Sequence, residues 1–107
     1  MTDYRNMSDF EINCVVAFHI GLRTVELAEE GKFNPCNNPA DAWPIIVKHG
    51  ISLTHDYGEW ESEACLDLPV GAHGTDELCS VGGIDKNPLR AAMIAFLLLK
   101  ESEKCSS

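Results

Sequence analysis

Basic residues are scarce in this chain. Eight lysines and arginines stand against seventeen aspartates and glutamates, a formal net charge of −9. Non-specific nucleic-acid binding depends on Lys and Arg displacing counterions from phosphates, so direct binding to DNA or RNA is not expected. Long apolar runs are missing too. The longest, Ala91–Leu99, falls well short of the roughly 20 residues that cross a bilayer, so no membrane span is expected. Residues 1–11 (MTDYRNMSDFE) carry charges where a signal peptide needs an apolar stretch, and a cytoplasmic location is the expectation. The five cysteines (Cys14, Cys36, Cys65, Cys79, Cys105) are odd in number and include no C-x-x-C pair, so reduced thiols are expected. Nucleophile-elbow, P-loop and dinucleotide-binding glycine patterns are absent from the sequence.

What is present is ordinary globular material. A length of 107 residues fits a single domain, 1–107. With 45% hydrophobic residues, the chain can fill a core without disulfides or metal. The acids are unevenly placed. Residues 56–86 hold eight of them and one basic residue, Lys86. Such a stretch reads either as a solvated loop that keeps the protein soluble or as an acidic face for a basic partner.

The local patterns predict an order of elements. Ser8-Asp9-Phe10-Glu11 is a capping box, with Met7 placed to staple onto Ile12. Ile12, Val15, Val16 and Ile20 continue as one helical stripe, predicting a helix over Asp9–Ile20 that Gly21 stops. Arg23–Leu27 alternates polar and apolar residues and reads as a short strand, with one helical turn as the alternative. Phe33–Pro39 holds two prolines and three asparagines, which makes it rigid and irregular. Asn38 as cap and Pro39 at the first helical position start a second helix, ended by Gly50. Pro44 inside it removes a donor, predicting a kinked or 3₁₀-like first turn. Ile51–Thr54 and Gly58–Ala64 read as a hairpin around Asp56-Tyr57-Gly58. Residues 65–86 read as a long, variable, acidic and glycine-rich loop, with a short strand near Leu78–Val81. Asn87 and Pro88 repeat the cap device before a helix over Leu89–Lys100, apolar all round at its middle. Such a helix belongs at the centre of a core or at an oligomer interface, so a homo-oligomer is expected. Residues 101–107 read as a disordered tail. The fold class is therefore α+β: a small, mostly antiparallel sheet of about three strands packed with three helices, in the order α-β-α-β-β-α, with an αβα sandwich as one form of it.

The candidate site residues are Asn34, Asn37, Asn38, Trp43, Trp60, Asn87 and Arg90. Two Asn-Pro helix starts offer free amides and a partial positive charge to an anion, and Arg90 can join them in holding a phosphate or carboxylate. Trp43 and Trp60 can stack a flat group. The competing readings are plain: ordinary caps for Asn38 and Asn87, Arg90 on the surface or paired with an acid, and core packing for the tryptophans. His55, Cys65, His73 and Cys79 lack the paired spacing of a structural zinc site, so no metal and no cofactor are expected. No activated nucleophile or acid–base pair stands out, and a non-enzymatic role is expected.

Three strings together are distinctive: Ser8–Asn13 (SDFEIN), Phe33–Ile46 (FNPCNNPADAWPII) and Asn87–Ile94 (NPLRAAMI). In this order and spacing the chain resembles the NinX-like family of small proteins from tailed phages and prophages of enteric bacteria, over about residues 4–100. The family supplies no catalytic residues to transfer. It is distantly similar to the phage ABA sandwich domain, which implies a sheet with helices on both faces. The resemblance places the protein in the host-cell cytoplasm as a phage accessory protein. The expected role is binding a small anionic or nucleotide-like ligand, such as a host defence signal to be sequestered. The alternative is an acidic modulator of a host or phage protein that acts on DNA.

Overall fold

The computed structural model describes residues 4–65 and 80–105. A 3₁₀ turn at Tyr4–Asn6 leads into α1 (Asp9–Ile20), α2 (Leu22–Glu29) and α3 (Pro39–His49). The hairpin β1 (Ser52–Asp56) and β2 (Glu59–Cys65) follows, then the short strands β3 (Ser80–Val81) and β4 (Ile84–Asp85), and finally α4 (Pro88–Cys105). The α+β class holds, with an antiparallel sheet built on β2, which pairs β1 on one side and β3 and β4 on the other.

The caps form as the sequence dictates. Ser8 and Glu11 make both bonds of the capping box at 3.1 and 2.9 Å. Asn38 Oδ1 accepts from the Ala40 amide at 3.0 Å, and Gly50 ends α3 in the left-handed region, at φ 62°. The helix runs on through Pro44, so the expected 3₁₀-like first turn is confined to one i→i−3 bond at the cap, Asp41 N to Asn38 O. Tyr57 (φ 52°) and Gly58 (φ 80°) take the paired positive φ of a type I′ turn, which matches strand twist and closes the hairpin.

Two expectations change. Arg23–Leu27 is part of helix α2 rather than a strand. Leu22, Arg23, Glu26 and Glu29 are exposed while Thr24, Val25, Leu27 and Ala28 turn inward. That is a 3.6-residue period, and a five-residue window was too short to separate it from alternation. The tail expected from residue 101 is helical as far as Cys105. Tyr4 Oη donates to Glu101 Oε2 at 2.6 Å, tying that turn of α4 to the start of the chain. The short strand expected near Leu78–Val81 is seen as β3; Leu78, Cys79 and the rest of 66–79 lie outside the described residues, as do 106–107.

α4 is the axis of the core. Every residue from Ala91 to Leu97 is at most 2% exposed. β2 packs along one side of the helix, and α1 and α3 along others. The apolar circumference of α4 from Ala91 to Leu97 is thus covered within one chain. On the sheet, Ser62 and Ala64 face α4, while Ser52, Thr54, Glu61 and Glu63 point away and are exposed. The described helices therefore cover one face of the sheet rather than the two that the ABA resemblance implies.

Just before β4, the chain passes close to β2 and α4. Ser62 Oγ donates to Ala91 O at 2.6 Å and accepts from the Gly83 amide at 3.0 Å. A Cβ on Gly82 would lie 1.8 Å from Ser62 O, and one on Gly83 would lie 2.6 Å from Ile94 Cγ2. The Gly82-Gly83 pair is a close-packing device. No described helix is long and apolar enough to cross a membrane.

Candidate functional site

The expected site residues divide into three groups. Asn34, Asn37, Asn87 and Arg90 converge where the start of α1, the 33–38 loop and the start of α4 meet. Arg90 lies at the centre, its side chain 11% exposed. Its Nη1 donates to Asp9 Oδ1 at 2.6 Å and its Nε to Asp85 Oδ2 at 2.9 Å. Nη2 donates to the carbonyls of Arg5 and Met7. Burial disfavours the guanidinium charge, but the bonds and fields of Asp9 and Asp85 outweigh it and hold the Arg90 pKa above its ordinary value. Four of its five donors are thereby engaged inside the protein, and two carboxylates neutralise its charge. Arg90 is a clamp between elements, not a hook for an anion.

The asparagines complete the clamp. Asn87 Nδ2 donates to Cys36 O at 2.6 Å while its Oδ1 accepts from the Leu89 amide, so it is a helix cap and a tether at once. Asn37 Nδ2 donates to Asp9 Oδ2 at 3.1 Å. Asn13, which the sequence reading missed, is 5% exposed and bonds both Asn34 Oδ1 and the Cys36 amide. The available signal was its amide beside the apolar stripe of α1. Asp9 and Asp85 were missed as well, because only the fold brings them to Arg90. Cys36 is buried beneath this network. Desolvation first, then the Asp9 and Asp85 carboxylates against a smaller opposing pull from Arg90, push its thiol up from 9.0 to about 12. It is an unreactive, protonated thiol.

Asn38 serves as the α3 cap. Trp43 is 63% exposed on α3, so the core-packing reading fails for it. Trp60 is half-buried on β2 and stacks at 4.9 Å on His55, its cross-strand partner on β1. Neither tryptophan meets the asparagine cluster. Among the described residues, no group of three or more His, Cys, Asp or Glu is arranged to hold a metal. His73, Cys79 and the Cys65 side chain lie outside them.

A different concavity is better equipped. A groove of about 430 Å³ opens between α1–α2 and α3, with α4 as its floor. Leu27, Phe33, Pro44 and Ile45 give it apolar walls. At one end, Phe96 is ringed by His49 (5.0 Å between ring centroids), His19 (6.0 Å) and the Lys100 ammonium (5.7 Å from the ring). Lys48 lines the same groove. At the other end is Asp41, whose Oδ2 accepts from the Asn34 amide at 2.9 Å and from Asn38 Nδ2 at 3.3 Å. In a chain of net charge −9, two of the eight lysines and arginines border this one groove.

Part of that charge has a structural use. His19 lies in the last turn of α1, and Lys48 and His49 in the last turn of α3, where cations offset the helix dipole. Each helix C-terminus carries roughly −0.5 charge.

Neither any curated protein nor any solved structure matches the chain. The family model described as Bacteriophage P22, NinX matches residues 3–100, which takes in the α1 cap, the irregular 33–38 loop with α3, and the core helix α4 as far as Lys100. The chain belongs to the bacteriophage P22 NinX family.

Proposed function

We propose that this phage protein is a non-enzymatic binding protein for a small anionic, nucleotide-like ligand, and that the groove between α1–α2 and α3 is its site. The observation that carries this reading is the pairing of an apolar trough with Lys48 and Lys100, beside the imidazoles of His19 and His49, in an otherwise acidic molecule. A groove of that volume takes a small ligand with a flat apolar part, and the cations select a phosphate or carboxylate. Its function follows from occupancy alone: bound ligand is withheld from the host cell, as a protein that sequesters a defence signal would do. The test is native mass spectrometry of the protein purified from phage-infected cells, compared with Lys48→Met/Lys100→Met. A retained mass of a few hundred daltons that the double variant loses supports the reading. Retention of the same mass by the double variant contradicts it.

A second reading rests on the exposed sheet face, where Glu61 and Glu63 stand beside Ser52 and Thr54 around a shallow cleft of about 300 Å³. That face suits a basic protein partner. It predicts salt-sensitive capture of the partner that Glu61→Gln/Glu63→Gln abolishes.

A further inference from the structure

Resting on the second reading, of an acidic sheet face, and independent of the groove, we infer that the open edge of β1 takes up a basic, extended protein segment as an added strand. Among the described residues β1 pairs only β2, so its other side is a sheet edge. The two-residue turn at Tyr57-Gly58 makes Asp56 and Glu59 a hydrogen-bonded pair, and bonded and non-bonded pairs alternate from there. Ser52, Thr54 and Asp56 thus direct their backbone groups to β2, while Leu53 and His55 turn both N–H and C=O outward. No other backbone group among the described residues bonds to those four. Sheet edges are ordinarily guarded by lysine, proline or a bulge. Ser52–Asp56 has none of these, and its register with β2 is unbroken.

Charge selects the occupant. Side chains alternate across a strand, so Asp56, Glu59 and Glu61 share the outer face of the hairpin with Ser52 and Thr54. Neither β1 nor β2 contains a lysine or arginine. An added strand lies roughly 4.8 Å from β1, with its outer side chains beside Ser52, Thr54 and Asp56. Ser52 and Thr54 are short, so a lysine or arginine there passes over them into the cleft that Glu61 lines. Asp56, Glu59 and Glu61 together border a second hollow of about 180 Å³. On the inner face, the added side chains meet half-buried Leu53 and the stacked rings of His55 and Trp60, which suit apolar residues. The segment that fits therefore alternates basic and apolar residues. A second copy of this chain does not fit: joining two β1 edges would set two acidic faces side by side on molecules of net charge −9 each.

Fluorescence anisotropy of the full chain at pH 7 tests this, with a capped, dye-labelled peptide of alternating lysine and valine long enough to span β1. Two companion peptides separate charge from strand pairing. One has glutamate in place of lysine. The other keeps every charge but is N-methylated at the valines, whose amides would face Leu53 and His55. The alternating peptide is expected to bind with a Kd below about 1 mM at low salt and to weaken at least about tenfold at high salt. Both companions are expected to bind at least about tenfold more weakly. Asp56→Asn/Glu61→Gln, with its fold checked by circular dichroism, is expected to weaken the alternating peptide at least about fivefold. The peptide ranking on the wild-type chain stands on its own if that variant does not fold. Equal binding of the N-methylated peptide overturns strand addition and leaves a surface that acts by charge alone. No binding of the alternating peptide tighter than about 1 mM overturns both strand addition and the second reading. A dimer of the chain alone, seen by light scattering and dissociated by His55→Pro, would assign the edge to a second copy and overturn the inference; proline is tolerated where an edge N–H faces outward.

Discussion

Replacing Arg90 with methionine keeps an unbranched stem of similar reach and removes the guanidinium. The substitution deletes hydrogen bonds to two carboxylates and two carbonyls from a side chain that is 11% exposed. It also leaves Asp9 and Asp85 with side chains 44% and 23% exposed and no cation between them. Breaking a fully buried ion pair costs about 3–5 kcal/mol. Asp9 regains much of its hydration, which places this case at the lower end, about 3 kcal/mol. Against a total stability of about 5–15 kcal/mol that is a large fraction. At roughly 4–8 °C per kcal/mol for a domain near this size, the melting midpoint falls by roughly 12–24 °C. Urea and thermal unfolding followed by circular dichroism measure both quantities. Arg90→Lys keeps the charge without the planar fork and is expected to fall between the two. A loss below about 1 kcal/mol in Arg90→Met, the range of an exposed ion pair, would refute the clamp and return Arg90 to the surface, available to a ligand.

Three further outcomes follow from the same contacts. The raised pKa of Cys36 means that the fold favours the neutral thiol. That contribution is fully present below pH 9.0, the ordinary thiol value, and is lost as pH climbs toward about 12. Stability is expected to fall there by up to about 1.4 kcal/mol per pH unit from this one proton, a slope that Cys36→Ala removes. At pH 8 in native buffer, Cys36 is expected to resist alkylation and to react once urea is added; mass mapping of the modified thiols reads this, and ready native labelling would contradict its burial. Gly83→Ala places a methyl group 2.6 Å from Ile94 Cγ2, so it is expected to destabilise the protein by about 1–3 kcal/mol through overpacking, read by urea midpoint; an unchanged midpoint contradicts the close approach of β4 to α4.

Much of this fold was legible because the relevant forces are local. The α1 capping box, the Asn38 cap with Pro39, and the Asp56-Tyr57-Gly58 turn each rest on a few adjacent residues, and each forms where the sequence put it. α2 was misread because a five-residue window cannot separate a period of 2 from one of 3.6 once Leu22 and the Glu29-Glu30 pair are set aside. The central place of α4 was also legible, since a helix apolar all round has to be covered on several sides.

The candidate site was less legible. Asn34, Asn37, Asn87 and Arg90 do come together, but which acids reach the guanidinium is set by the fold, since Asp9 lies far from Arg90 along the chain and Asp85 belongs to β4. A cation is a ligand hook only if no internal carboxylate reaches it first, and that is decided by tertiary structure. The groove was hidden for the converse reason. His19, Thr24, Phe33, Asp41, His49, Phe96 and Lys100 are spread over four helices and a loop, and only the packing of those elements brings them to one groove. The tilted contact of His49 with Phe96 arises only when α3 and α4 are packed.

The most direct test of the groove as a ligand site is an NMR titration of the isotopically labelled protein with a panel of nucleoside monophosphates. The account predicts saturable shifts at Phe33, Asp41, His49, Phe96 and Lys100, with Asn37, Asn87 and Arg90 unmoved. Shifts confined to Asn37, Asn87 and Arg90, or no shifts at all, would contradict it.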